Sequence, residues 1–540
     1  MSEYAAALAE FDWLAARMPK DPLAKLKRGL ALSALGEFSE ARRALADARA
    51  VDSGFVEDFC RQLAPGAESP ADLDPKNIYL WRSYVAQQEC DWRNLERYLG
   101  EFRDAIRSPE VVLDRALCFA SLHLPLEPSG QYALACKVAS EVSRRVTPLP
   151  ARLAGAPRKL RIGLLSAGFR EHVDALLLLP LLELIDRKRF EIYAYSLAAD
   201  DGSAVRDRMR RAATVFRDVS ALRSESAARQ MRRDEIDILL DTGGHAEGTR
   251  FEIVAARPAP LQVLYLGYAG TTGSDRVDYT ILDPIVAPQG HEEHWSERIV
   301  YMPDTYFLYD FREAFPAVNV SRAEYDLPED RPVICAFHKG EKIDPETFAL
   351  WCRVLREAPS AVLWLLGERP TLIANLRRAA ETNGVDPARL FFCGRENRDR
   401  YLARLRLADL FLDAVQHNAI VTTCDCLNAG LPVVTLHGRT CTTLSAESIL
   451  RAAGLDELVS FSSDEYAGKA LRLLGDNREL AALRARMAAG RSSQPLYDTA
   501  GRVRQLEHAF TEMWRRCESG LPPESFSVPK TGSMDGGAVL

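Results

Sequence analysis

A chain of 540 residues, 47% hydrophobic and 27% charged, is long enough for about three domains with ordinary cores. Its 69 basic residues are spread among 76 acidic ones for a net charge of −7, which excludes the one-sided basic surface of a nucleic-acid binder. The opening MSEYAAALAEFDW has no basic leader, and the most apolar run, residues 176–185, is too short to span a bilayer. A cytoplasmic protein with no membrane or nucleic-acid partner is expected. Eleven cysteines scattered through apolar runs fit reduced thiols, and Cys424 with Cys426 lacks a second pair at ligand spacing, so no metal is expected.

The first fifty residues carry a repeat. Gly29, Leu32, Gly36, Phe38, Ala41, Leu45 and Ala48 fall where a tetratricopeptide helix pair places its packing residues, with Ala7, Phe11 and Pro19 about one 34-residue period earlier. One and a half repeats cannot bury their own faces, so they should lean on a helical stretch over 77–145, across a loop at 63–76. Residues 1–150 thus read as an all-α, tetratricopeptide-like region.

From Arg158 short apolar runs alternate with helical periodicity. The runs 160–166, 190–196, 236–241, 261–267 and 277–282 read as strands buried on both faces of a parallel sheet, giving a doubly wound α/β domain over 155–310. Arg206, Arg208, Arg210 and Arg211 read as a solvated helix face. The alternation resumes at 333–337, 361–366, 390–393, 410–413 and 433–436, a second Rossmann-like domain over 325–515. Residues 520–540, rich in Pro, Gly and Ser, read as a disordered tail.

Open α/β sheets bind ligands beyond the carboxyl ends of their strands, so the loops there are the candidate site. AGFREHVDA carries His172; TGGHAEGTR carries His245 among three glycines; YAGTTGSDR carries Gly270, Thr271 and Thr272. In AVQHNAIVTTCD, Asn418, Thr422 and Thr423 stand near a helix start, and Asp425 has the acceptor that a ribose diol needs. In AFHKGEKIDPETFALW, Lys339 and Lys342 lie between a strand and a helix that Asp344 caps and Pro345 opens. A lysine beside unpaired helix amides calls for an anion. No Asp-x-Asp follows a predicted cleft strand, so metal-dependent diphosphate chemistry is not signalled.

The strings SAGFREHV, RPAPLQVLYLGYAGTTG, VDYTILD, ERIVYMPDTYF, KIDPETFALWCRVLREAPSAVLWLL and LPVVTLHGRT, with Cys90-Asp91-Trp92 ahead of them, resemble the O-linked N-acetylglucosamine transferase and SPINDLY family of protein O-glycosyltransferases in its short bacterial form. The resemblance covers about residues 155–515. It implies a GT-B fold, two Rossmann-like domains behind helical repeats, and metal-free, inverting transfer of a sugar from a nucleotide diphosphate to Ser or Thr of a protein or peptide acceptor. It implies UDP-N-acetylglucosamine as donor and no other cofactor. By the same resemblance Lys342 meets the donor diphosphate and His172 stands beside sugar and acceptor, so that these two are the expected catalytic residues, Lys342 to stabilise the departing UDP and His172 to orient or deprotonate the acceptor hydroxyl; Asp425 holds the ribose, and Gly270-Thr271-Thr272 lies near the sugar. Several positions depart from the family pattern: Ile420-Val421 replaces a small residue and a hydroxyl, His338-Lys339 replaces an Asn-Gln or Asn-Asn pair, Arg398 and Tyr401 replace a Lys and a His flanking the base, and Gly168 replaces an Asp. They leave two further readings, another donor such as GDP-fucose, or an adaptor with weak turnover.

Overall fold

The computed structural model describes residues 3–35, 37–56, 75–108, 111, 113–152 and 158–530. Gly36 and most of the expected loop 63–76 lie outside these residues, as do 531–540 of the expected tail.

The chain begins with helices Glu3–Arg17, Pro22–Ala34 and Phe38–Val51. Asp21 starts the second by accepting from the Leu23 amide at 2.9 Å, and Pro22 takes the first position, where no N–H is needed. Small residues let the second and third helices touch: a Cβ on Gly29 would stand 3.3 Å from the Ala41 carbonyl, and Ala41, Ala44 and Ala48 are buried. Helix Pro75–Gln88 covers this pair, and Leu95–Arg107, Ala116–Ser121 and Pro128–Arg145 complete the helical region.

Two parallel sheets follow. The first contains β1 (Leu160–Ser166), β2 (Phe190–Ser196), β3 (Val215–Asp218), β4 (Ile238–Asp241), β5 (Leu261–Leu264), β6 (Tyr279–Leu282) and β7 (Arg298–Tyr301). The second contains β8 (Val333–Ala336), β9 (Val362–Leu366), β10 (Leu390–Cys393), β11 (Leu410–Leu412), β12 (Val433–Leu436) and β13 (Val459–Ser460). Their orders, β7-β6-β5-β4-β1-β2-β3 and β10-β9-β8-β11-β12-β13, are both doubly wound, with the switch point between β1 and β4 in one and between β8 and β11 in the other. Strands buried on both faces explain the continuous apolar runs; β3 and β7 are only partly buried and β13 is two residues long, so none of the three left a run to read.

The end of the chain corrects two expectations. Helix Thr499–Glu518 leaves the second domain and packs on the first, where Phe510 meets Phe190 and the Glu507 carboxylate accepts from the Asp186 amide at 2.6 Å. Beyond it, residues expected to be disordered form β14 (Phe526–Ser527) on the open edge of β7, and Val528 is buried while its amide donates to the Tyr301 carbonyl. An unpaired strand edge offers hydrogen bonds to any extended segment, whatever its composition. Between the domains, buried Asp283 accepts from the Ser448 hydroxyl at 2.7 Å and the Tyr306 amide at 2.9 Å. Among the described residues no helix is long and apolar enough to cross a membrane.

Candidate functional site

A cleft of about 710 Å³ opens between the two domains, lined by residues that follow β1, β4 and β5 on one wall and β8, β9, β10 and β11 on the other. Both switch points therefore face it. His172, Lys339, Lys342, Tyr401 and Thr422 line this cleft, five of the residues singled out in the sequence.

Lys342 ends a short turn, Gly340–Lys342, after β8. Asp344 then caps helix Pro345–Glu357 through the Thr347 amide at 2.9 Å, with Pro345 at the first position as expected. The Lys342 Nζ donates to the Asn418 carbonyl at 3.0 Å. That carbonyl precedes helix Ile420–Ala429, whose N-cap, Ala419, has no side chain to satisfy the first amides. A cation and the free end of a helix thus meet at one point of the cleft. Burial lowers the Lys342 pKa from 10.5 to about 8, opposed by the attraction of Asp413. Asp413 shapes the loop before that helix, accepting from the Ala414 and Ala419 amides at 2.9 and 2.8 Å and from the Thr435 hydroxyl at 2.7 Å.

The helical region pins both of these loops. A Cβ on Gly340 would lie 2.1 Å from the Gln88 carbonyl, so only glycine lets helix Pro75–Gln88 end against the turn. The Cys90-Asp91-Trp92 motif continues the clamp: Cys90 lies buried beside the Gly340 and Ile343 carbonyls, and Trp92 packs on Phe348. On the other loop His417 stacks on His123 with ring centroids 4.3 Å apart and bonds the Leu122 carbonyl at 3.1 Å. Burial lowers the His123 pKa to about 4 and holds that of His417 well below the ordinary imidazole range, which keeps both rings neutral beside Lys342.

On the opposite wall His172 is the N-cap of helix Val173–Leu184, with Nδ1 accepting from the Asp174 amide at 3.2 Å. Its loop is tied from below by Arg206, which corrects the solvated-face reading. Arg206 is fully buried and donates to the Phe169 carbonyl at 2.6 Å, the Ser196 hydroxyl at 2.8 Å and Asp218 at 2.6 Å. Arg208 and Arg210 do face outward, paired with Glu183 and Asp200.

The other sequence candidates do not line the cleft. His245 is fully buried, packed on Phe251 and Tyr268, with Nε2 bonded to the Thr272 carbonyl at 2.8 Å; burial lowers its pKa to about 4. Thr271 donates to Glu297 at 2.7 Å, and the Thr272 hydroxyl and amide both reach that carboxylate. A Cβ on Gly273 would stand 2.2 Å from the Ala135 backbone, and Gly270 lies against Leu122. The Gly270-Thr271-Thr272 turn is therefore a joint with the helical region. Asn418 is buried, its side chain bridging the Ala414 carbonyl and the Ala446 amide, and Thr423 is buried one turn into its helix. Arg398 and Asp425 hold each other at 2.8 Å, and the Tyr309 hydroxyl reaches the same Asp425 oxygen at 2.7 Å.

The sequence reading missed other cleft residues. Phe337 reads in the sequence as the end of a strand, but it lines the cleft, and buried Arg404 spreads its guanidinium over the rings of Phe337 and Tyr401 at 4.7 and 5.5 Å. Arg404 stands one helical turn after Tyr401, a spacing that marks one helix face. Asp174, two residues after His172, was also passed over.

This arrangement defines a GT-B protein. The model of glycosyl transferase family 41 matches residues 133–321 and 317–506, and the chain belongs to that family. It is 32% identical over 466 residues to a probable UDP-N-acetylglucosamine–peptide N-acetylglucosaminyltransferase SEC of Arabidopsis thaliana, across 82% of this chain and 48% of the relative. A probable SPINDLY transferase of Petunia hybrida is 27% identical, across 68% and 40%. The chain spans about half the length of the curated relatives it matches. A solved structure of a mutant of Thermobaculum terrenum O-GlcNAc transferase matches with a TM-score of 0.73 at 28% identity, over 96% of this chain and 95% of that one. The family resemblance read from the sequence is borne out.

Proposed function

We propose that this chain transfers N-acetylglucosamine from UDP-N-acetylglucosamine to a Ser or Thr hydroxyl of a protein, with inversion at the anomeric carbon and without a metal. The observation that carries the reading is the Lys342 ammonium 3.0 Å from the Asn418 carbonyl, at the uncapped start of helix Ile420–Ala429 and at the switch point of the second sheet. A diphosphate bound there meets a cation and free amides in a site already shaped for charge, so the leaving UDP is stabilised without reorganisation. Phe337, Tyr401 and Arg404 offer a uracil ring flat surfaces beside it. The names of the relatives support N-acetylglucosamine and a polypeptide acceptor. A side cavity of about 250 Å³ against the helical region, lined by Tyr84 among others, shares Phe119 and Glu247 with the cleft that His172 lines, and supports a polypeptide entering from that side.

The test is thermal unfolding with UDP and with GDP. A ligand at about 100 times its Kd stabilises by roughly 2.7 kcal/mol, so UDP is expected to raise the Tm and GDP to leave it unchanged. A rise with GDP alone would replace this donor with a GDP-sugar. Sugar transfer is expected to survive a chelator; loss of activity restored by Mn²⁺ or Mg²⁺ contradicts the metal-free mechanism.

A further inference from the structure

We propose that Asp174 takes the proton of the acceptor hydroxyl, while His172 stands beside it as a hydrogen-bond donor; this rests on the glycosyl-transfer reading above. The His172 Nδ1 accepts the Asp174 amide hydrogen at 3.2 Å. A ring nitrogen that accepts carries no proton, so the neutral imidazole holds its proton on Nε2. The nitrogen left free is then a donor and cannot receive a proton from an incoming hydroxyl.

The carboxylate next to it can. Asp174 lines the same cleft wall, with Oδ2 3.5 Å from His172 Nδ1, and among the described residues no hydrogen bond reaches either of its carboxylate oxygens. Its lone pairs are uncommitted. Burial raises its pKa above 3.8, which moves it toward the range where a general base works.

The surrounding backbone is cut to fit this side chain. A Cβ on Gly168 would lie 2.6 Å from the Asp174 Cβ and 2.8 Å from its Oδ2, and one on Gly267 would lie 3.4 Å from the same oxygen. Two strand-end glycines thus make a niche, and the carboxylate of 174 fills the space that a side chain at 168 would take. In the reaction the acceptor O–H bond breaks and its proton passes to an Asp174 oxygen. The freed electron pair forms the bond to the anomeric carbon, and the anomeric C–O bond to the diphosphate breaks with its pair leaving on UDP beside Lys342. The proton on Asp174 then returns to water.

Three measurements on the full chain test this. The first is UDP release from UDP-N-acetylglucosamine with water as acceptor, at saturating donor. Asp174→Asn, which keeps the shape of the side chain, is expected to lower this rate about 10²-fold or more, with UDP affinity within about twofold of wild type. A merely structural role for the first-turn acid would instead appear in stability and leave the rate near that of wild type, and a rate within about threefold overturns the assignment. The second compares Asp174→Gly with the pair Gly168→Asp, Asp174→Gly. The pair is expected to recover at least about tenfold of the lost rate, because the new carboxylate enters the same niche once the His172 ring gives way slightly, a Cβ at 168 standing 2.9 Å from its Nδ1; no recovery in a pair that binds UDP and keeps the Nε2–H tautomer of His172 overturns it. The third needs no donor: ¹⁵N NMR of the His172 ring is expected to show the Nε2–H tautomer, and the Nδ1–H tautomer overturns the proposal. If the wild type itself releases no UDP, the transfer reading fails and this assignment falls with it; if only Asp174→Asn keeps the wild-type rate, the reading stands and the base lies elsewhere.

Discussion

The two walls of the cleft are built differently. Around Lys342 the loops are pinned on both sides, by Gln88 against Gly340 and by His123 against His417, and Asp413 holds the backbone between them. Around His172 the support comes from Arg206 beneath and from Asp201, which accepts from the Glu171 amide at 2.7 Å, and the imidazole is 41% exposed. The contrast follows from what each wall is proposed to bind. A diphosphate is small and highly charged, so fixed amides and a cation in a desolvated corner stabilise it without moving. A polypeptide is large and must enter and leave, so its wall stays open.

The sharpest way to break this comparison is to remove the pinned charge. Lys342→Ala is expected to lower single-turnover sugar transfer by on the order of 10² to 10³ while weakening UDP binding less, because the charge on the leaving group grows as the sugar bond breaks. Equal rates for wild type and variant would leave Lys342 a bystander. Next comes the clamp itself. Gly340→Ala places a methyl group 2.1 Å from the Gln88 carbonyl, and a forced backbone shift of this kind costs roughly 1–3 kcal/mol, to be read from the urea midpoint. UDP affinity should fall with it, and an unchanged midpoint would mean that the helical region does not press on the turn.

A third effect is pH-dependent. The free protein loses the Lys342 proton near pH 8, because burial lowers its pKa from 10.5. UDP affinity measured by calorimetry should fall above that pH by up to ~tenfold per unit, and Lys342→Arg should flatten the curve. Folding stability responds with the opposite sign: between about pH 8 and 10.5 the unfolded chain holds the proton that the folded one has released, so this group's contribution rises with pH. The smallest effect is expected for Lys339→Ala. Its side chain is 56% exposed and 3.9 Å from Glu341, a pair whose loss costs about 0–1 kcal/mol, so a large drop in turnover there would place the diphosphate on the wrong lysine.

Much of this site was legible because its signals are local. The stretch AFHKGEKIDPETFALW showed a strand, a lysine and a capped helix start, and each is present in that order. His172 was legible for the same reason, as a helix-start residue after β1. His245, Thr271 and Thr272 looked equally apt, in glycine-rich loops at strand ends, yet His245 bonds the Thr272 carbonyl and both threonines bond Glu297, some 25 residues further along the chain. Nothing in the local pattern distinguishes a hydroxyl free for a ligand from one already committed to a distant carboxylate.

The sequence by itself determined the elements and their alternation, since apolar periodicity, caps and turn residues act within a few positions of chain, and the doubly wound topology follows once strands and helices alternate. Only the tertiary structure decided which loop side chains face the cleft, that Arg206 is a buried brace, and that the end of the chain adds a strand to the first sheet. Those outcomes depend on partners brought together from distant positions. A polar group that folding buries takes whichever partner lies within reach, because leaving it unpaired costs more than the choice between partners.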